Sequence, residues 1–254
     1  MALLIVLSAF AVGILMGLTG MGGGLIMTPL LIFGFGIPAT TAIGTDLLYA
    51  SVTKMFGSFQ HWRQKTVDWL IVRQMLVGSI PGSVLGVALI HWMNRWSYGS
   101  VDAILSHLLG WIFVLIAGVM GYKVVQGKRE IARPERQPSR LALVLLGFFG
   151  GVLVTLTSVG SGTLFIAILT ILTAMKAARM VGTDLLHGAI LTLVAGLGHL
   201  TIGTVDLGLA GLLLLGSVPG ILIGSRLTLR LPDGYIRWGL VTMLVISGIK
   251  LVGG

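Results

Sequence analysis

The chain has 254 residues, of which 56% are hydrophobic and only 10% charged, with a mean hydropathy of +1.02. A water-soluble domain needs far more charge to wet its surface, so the composition describes a polytopic membrane protein. Cysteine is absent, which excludes disulfides, thiol chemistry and thiolate metal sites, and the formal net charge is +9.

Apolar periodicity and turn residues predict five helical elements in the first half, at about residues 2–18, 23–34, 41–60, 67–92 and 101–125. A polar linker, 126–139, contains Pro134 and Pro138. Five more elements follow, at about 140–157, 162–173, 179–198, 205–230 and 235–252. Residues 1–18 lack the basic start of a secretory signal and run on into apolar sequence, so they read as a retained helix. The second element of each half is short against the ~20 residues a spanning helix needs. It is either a half-helix or one arm of a re-entrant pair. This divides the chain into a first membrane repeat (1–125), a basic linker (126–139) and a second membrane repeat (140–254).

The two halves are copies. Gly44-Thr45-Asp46-Leu47-Leu48 returns as Gly182-Thr183-Asp184-Leu185-Leu186, an offset of 182 − 44 = 138. The same offset pairs Gly22 with Gly160, Gly24 with Gly162 and His61 with His199. It also pairs Thr66-Val67-Asp68 with Thr204-Val205-Asp206, and Pro81-Gly82 with Pro219-Gly220. Chance likeness between apolar helices repeats Leu and Val; it does not keep Asp, His, Pro and Gly in register.

Charge sets the orientation. Lys123, Lys128, Arg129, Arg133, Arg136 and Arg140 crowd the linker against Glu130 and Glu135, which reads as a cytoplasmic segment facing anionic lipid rather than a nucleic-acid site. With the linker inside and five crossings per half, Arg63, Lys65, Lys176, Arg179, Arg226, Arg230 and Arg237 also fall inside. The loop after the third element is basic in the first half (residues 61–65) and carries no Lys or Arg in the second (199–203). Equivalent loops on opposite faces require an odd number of crossings, hence inverted-topology repeats of 8–10 spans in all, some broken or re-entrant.

Four groups of residues are candidates for chemistry. Gly17-Leu18-Thr19-Gly20-Met21-Gly22-Gly23-Gly24 is too glycine-rich for a helix interior, and it unwinds the backbone ahead of a short helix that contains Pro29. Free N–H groups and the positive dipole end then face the interior and suit an anion. The matching segment carries Thr157, Ser158, Gly160, Ser161 and Gly162, whose hydroxyls can donate to the same ligand. Broken helices at matching places in two repeats are the sequence mark of a transporter site, although small residues for close helix packing give the same pattern.

Thr45 and Thr183 stand where helix N-caps belong, with Asp46 and Asp184 in the first turn; the aspartates either cap or take and release a proton. From Asp46, the positions Ala50, Lys54, Gly57 or Ser58, and His61 share one helix face, matched by Asp184, Gly188, Thr192, Gly196 and His199. Lys54 lies about eight residues, or ~12 Å, beyond Asp46 and so deep in the bilayer. A cation there costs ~2.5–3.5 kcal/mol and needs a partner or a purpose. Its counterpart is the neutral Thr192, an asymmetry that predicts a net positive cavity. His187 replaces Tyr49 and is a candidate proton relay. Pro81 and Pro219 sit inside the fourth element of each repeat, as hinges or as packing notches. The five histidines lack metal-site spacing and no Ser/His/Asp grouping points to hydrolysis, so no enzyme, metal or cofactor is expected.

The Gly-Xaa-Gly-Gly-Gly segment with Pro29, the twin Gly-Thr-Asp-Leu-Leu segments, the His-then-Val-Asp pairs and the twin Gly-Ser-Xaa-Pro-Gly kinks resemble the TauE/SafE family of sulfite and sulfonate exporters over nearly the whole chain. The resemblance implies a bacterial inner-membrane secondary transporter of small organosulfur or sulfur oxyanions. The Ser/Thr substitutions of the second half depart from the glycine-rich pattern and break strict symmetry. The expectation is alternating access around an anion held by Gly20, Gly22, Gly23, Gly24, Lys54, Thr157, Ser158, Gly160, Ser161 and Gly162. Proton coupling through Asp46, Asp184 or His187 and self-association stay open. An anion channel or a non-transporting assembly subunit fits the hydropathy equally, but the subunit does not predict a buried lysine or mirrored helix breaks.

Overall fold

The computed structural model describes residues 1–19, 23–96, 101–125, 138–173, 175 and 177–227. Among them there is no strand, and the long helices are α1 (Ala2–Thr19), α3 (Ala39–Arg63), α4 (Trp69–Trp96), α5 (Val101–Val125), α6 (Arg140–Thr157), α8 (Ala177–Thr201) and α9 (Leu207–Leu227), with the shorter α7 at Thr163–Leu172. Most of the linker and the tenth predicted element, 235–252, lie outside the described residues.

The second element is more broken than a half-helix. A 3-10 turn at Gly23–Leu25, a single α turn α2 (Met27–Pro29) and a π-wound stretch at Leu30–Gly34 follow one another. Pro29 has no N–H and sits where an early-turn N–H has no intrahelical partner in any case, so the break costs little there.

Helix boundaries follow from local chemistry. Asp68 Oδ1 accepts from the N–H groups of Leu70 and Ile71, and Asp206 Oδ1 from that of Leu209, so the twin Thr-Val-Asp segments cap α4 and α9. Ser139 caps α6 through the Ala142 N–H. At the other end of α6, Ser158 turns left-handed at φ 58°. Gly162, at φ 116°, then leads into α7 with a backbone that a residue bearing a Cβ rarely adopts.

The third helix starts within two residues of its predicted position, but the capping role predicted for Thr45 and Thr183 is corrected. α3 begins at Ala39 after Pro38, and Asp102 at the head of α5 accepts from both the N–H and the hydroxyl of Thr40 at 2.8 Å. α8 likewise begins at Ala177. Thr45 and Thr183 are therefore seven residues in and cap neither helix. Their hydroxyls instead accept the backbone N–H groups of Asp206 (3.0 Å) and Asp68 (2.9 Å), each in the opposite repeat.

The long helices pack in the order α1, α9, α3, α8, α4, α6, which maps onto itself when equivalent helices are exchanged. At the centre, Gly44 near the start of α3 meets Thr204 beyond the end of α8, and Gly182 near the start of α8 meets Thr66 beyond the end of α3. The two helices are therefore antiparallel. By contrast, α1 runs parallel to α9 and α6 to α4: Gly216, Gly220 and Gly224 face the backbone at Val6, Phe10 and Ile14, while Gly78 and Gly82 face Val144 and Phe148. A Cβ at any of these glycines would enter the neighbouring backbone, so the contact is glycine-on-backbone packing. Pro81 and Pro219 lie within continuous helices on exposed positions.

Four described helical stretches, Trp69–Arg95, Arg140–Thr157, Ala178–Thr201 and Leu207–Arg226, are long and apolar enough to cross a membrane. Exposed Leu4, Val84, Trp111, Leu115, Phe149 and Leu215 form an apolar exterior, with Trp62, Trp69 and Trp92 exposed near helix ends, as expected where amphipathic rings meet lipid headgroups. The chain is an all-α polytopic membrane protein.

Candidate substrate site

The predicted polar face of α3 is inside. Asp46, Ala50, Lys54, Ser58 and His61 are at most 5% exposed, and Asp184, Thr192 and His199 on α8 at most 1%. At this junction the two repeats exchange side chains.

Lys54 is fully buried, and its Nζ donates to Ser161 Oγ at 2.7 Å, with the Ser161 carbonyl at 3.5 Å. Its ammonium packs over Gly188, where a Cβ would lie 2.7 Å from Nζ. It interacts electrostatically with Asp184 and with Asp46, but neither carboxylate is within 4.0 Å. The predicted net positive cavity is corrected by this company. Lys54 with two ionised aspartates sums to −1, with one ionised to 0, and only with neither to +1. Comparing Lys54 with Thr192 alone left out two carboxylates that come from different repeats.

The two aspartates are not equivalent. The Ser158 hydroxyl donates to Asp46 Oδ2, and Gly24 packs against the same oxygen, where any Cβ would lie 2.8 Å away. The hydroxyls of Tyr49 and Thr28 interact with this carboxylate as well, although they fall short of normal hydrogen-bond geometry. At Asp184 the backbone N–H of Gly162 is within electrostatic reach, yet neither oxygen accepts a hydrogen bond of normal geometry.

His187 Nε2 pairs with Ser79 Oγ at 3.0 Å, its ring stands edge-on to Phe165 at 4.7 Å, and its Nδ1 has no partner. The equivalent serine of the second kink, Ser217, pairs with Thr53 at 2.7 Å. Each Gly-Ser-Xaa-Pro-Gly segment therefore turns its serine inward and its proline outward.

Of the predicted ligands, the structure brings together Gly23 (whose Cα packs against the Tyr49 hydroxyl), Gly24, Asp46, Lys54, Ser158, Ser161, Gly162, Asp184 and His187. Thr157 is spent locally, donating to the Leu153 carbonyl at 2.7 Å and accepting from the Val159 N–H. Gly160, at φ 110°, shapes the turn between α6 and α7. Gly20 and Gly22 lie outside the described residues. Sequence reasoning passed over Tyr49, Ser79 and Thr28. The first two were visible as the counterpart of a histidine and as part of a repeated motif; Thr28, opposite Ile166, left no signal.

Lys54, Asp46, Asp184 and His187 are each fully buried, so the cluster is closed to both sides in this conformation. A separate cleft opens between α4 and α8, lined by Ser83, Val87, His91, Val194, Gly198 and Thr201. Among the described residues no group of three His, Cys, Asp or Glu is arranged to hold a metal ion. A buried charge cluster between two antiparallel equivalent helices is the construction of a membrane transporter.

Comparison with known proteins agrees. The chain is 38% identical to the probable membrane transporter protein YjnA of Bacillus subtilis, over 99% of this chain and all of the relative. It is 26% identical to YdhB of the same organism, also called a probable membrane transporter protein, over 98% of this chain and all of that one. A probable membrane transporter protein of Methanocaldococcus jannaschii is 25% identical over 98% of this chain and 94% of its own. No solved structure matches. The family model described as sulfite exporter TauE/SafE matches residues 5–251, which covers the glycine-rich break, both aspartates and Lys54: the chain belongs to the TauE/SafE family of membrane transporters.

Proposed function

We propose that the chain is a secondary transporter of small sulfur oxyanions or sulfonates in the bacterial inner membrane, working by alternating access between two inverted repeats. The observation that carries the reading is Lys54: a fully buried cation at the repeat junction whose direct partner is a neutral hydroxyl. A lysine at this depth is costly unless an anion or a function uses it. The ligand would meet the Lys54 ammonium, the Ser161 hydroxyl and backbone N–H groups near Gly23, Gly24, Gly160 and Gly162. The family description names sulfite, and a pyramidal oxyanion with three oxygens suits a point charge with surrounding hydroxyl donors.

Antiparallel α3 and α8 support the inversion. If both cross the bilayer, an axis exchanging them lies in the membrane plane. The Arg179–Asp68 ion pair, 2.8 Å, joins the first turn of α8 to the residue before α4, both of which the charge pattern assigns to the cytoplasm. The closed cluster favours a carrier over an open pore. Rocking one half against the other, with Pro81 and Pro219 as flexible points, would expose it to each side in turn.

The test is uptake of labelled sulfite, sulfate and methanesulfonate into proteoliposomes, with Lys54→Ala beside the wild type. Saturable flux of at least one sulfur anion, abolished in the variant, is expected. No flux of any of the three, or normal transport by Lys54→Ala, overturns the reading.

A further inference from the structure

We propose that Asp184 carries the coupling proton and that Asp46, its counterpart in the first repeat, is a fixed structural acceptor. The inference rests on Lys54 as the anion's ligand. It starts from a broken symmetry: Asp46 receives the Ser158 hydroxyl, whereas the residue 138 positions before Ser158 is Gly20, which has no hydroxyl to return to Asp184. The same offset puts Gly23 opposite Ser161, Ile166 opposite Thr28 and His187 opposite Tyr49. All four of the hydroxyls clustered about Asp46 or Lys54 (Ser158, Ser161, Thr28 and Tyr49) thus have no hydroxyl counterpart on the Asp184 side. Both Asp184 oxygens are buried and without a hydrogen-bond partner.

A buried carboxylate whose nearest donor, the Gly162 N–H, falls short of hydrogen-bond geometry is held by its proton or by a cation. The charged and titratable groups facing Asp184 are few. From α3 come Lys54, Asp46, Tyr49 and, packed beside Gly182, His61, which is bonded to Thr66. On α8 itself His187 lies one turn on, with Nε2 engaged by Ser79. α4 presents Ser79 inward and keeps Arg73, His91 and Arg95 exposed, α6 keeps Arg140 exposed, and α7 has no titratable residue. Among the described residues Lys54 is the one cation in reach, so Asp184 and an incoming anion compete for it.

That competition is the coupling. With Asp184 ionised, Lys54 is claimed by protein carboxylates and the trio repels an anion. When Asp184 takes a proton from the side the site faces, the trio becomes neutral and the ammonium is free for the ligand. Proton and anion then bind together and leave together. For a monovalent anion this symport is electroneutral, and an acid-outside gradient drives it inward. Net export then requires an outward anion gradient larger than the pH gradient.

The experiment uses methanesulfonate, because sulfite exchanges protons near neutral pH by itself. Proteoliposomes with a trapped pH-sensitive dye report proton movement, and labelled methanesulfonate reports the anion. The wild type is expected to move about one proton with each anion. Asp184→Asn should keep anion-for-anion exchange but lose proton movement and pH-driven accumulation. Asp184→Glu should retain both, and Asp46→Asn, at reduced rate, should still move protons. Should Asp184→Asn fail to fold, Asp184→Glu and Asp46→Asn still decide: coupling kept in both supports the assignment, and coupling lost in Asp46→Asn overturns it. Proton movement surviving in Asp184→Asn overturns it too, as does coupling abolished in His187→Gln with Asp184→Asn unaffected. A wild type that carries sulfonate without protons ends the coupling alone; one that carries no sulfonate ends the sulfonate reading with it.

Discussion

Lys54 Nζ and Ser161 Oγ stand 2.7 Å apart, and that bond ties the third helix of one repeat to the broken segment of the other. Among the described residues the lysine is the only fully buried charged one whose counterpart, Thr192, is neutral and whose head reaches the opposite repeat's hydroxyl. Replacing it by Met keeps the volume of the stem and removes the charge. We expect Lys54→Met to lose transport by at least ~100-fold, in line with the more than ~2 kcal/mol that a charged hydrogen bond contributes. Its melting temperature in detergent should fall at neutral pH, since Asp46 and Asp184 lose the buried cation they share. Ser161→Ala should be milder, raising KM by about 5–10-fold, as befits a bond worth ~1 kcal/mol. Normal kinetics in both variants would show that the pair is only structural.

Glycines at the site and in the packing seams should respond differently to the same methyl group. At Gly188 an added Cβ meets the far end of the Lys54 side chain, which can move aside. Gly188→Ala should therefore fold and show weakened transport. At Gly216 the added Cβ meets the Val6 carbonyl and the Phe10 backbone, and at Gly78 the Val144 carbonyl. Helix backbones have no rotamer to yield, so Gly216→Ala and Gly78→Ala should each cost about 1–3 kcal/mol. Thermal unfolding in detergent, read beside flux, separates the two classes.

Thr45 and Thr183 give a symmetric pair of stability predictions. Each hydroxyl accepts the N–H that opens the cap of the opposite repeat's fourth helix. Thr45→Val and Thr183→Val should each lose ~1 kcal/mol, by nearly the same amount, because the geometry is the same to 0.1 Å. Arg179→Ala, which breaks an ion pair whose arginine is 56% exposed, should change stability by less than ~1 kcal/mol.

What the sequence disclosed here is uneven, for physical reasons. The repeat, the helices and the inward face from Asp46 to His61 were readable, because a 138-residue offset and three- and four-residue spacing are one-dimensional patterns. The cap of α3 was not. Its first turn is capped by Asp102, which is 62 residues away and invisible to local capping rules. Nor was the charge balance at Lys54, since Asp184 joins it only when α3 and α8 cross antiparallel. The roles of Ser158 and Thr157 were also exchanged in kind. Both hydroxyls were expected to hold ligand, but one is committed to Asp46 and the other to its own helix end.

The orientation of the two halves is testable because the chain has no cysteine of its own. Arg63 at the end of α3 and Thr201 at the end of α8 are exposed and occupy equivalent positions in the repeat register (201 − 138 = 63). Gly203 lies close to Thr201 but holds φ at 74°, so a cysteine there would be strained and its labelling ambiguous. Arg63→Cys and Thr201→Cys keep a helical backbone. In intact cells, a membrane-impermeant maleimide should label Thr201→Cys and reach Arg63→Cys only after permeabilisation. Antiparallel spanning helices require that difference, because equivalent ends then face opposite compartments. Labelling of both from one side would mean that α3 and α8 do not each cross the bilayer, and alternating access built on their inversion would fall with it.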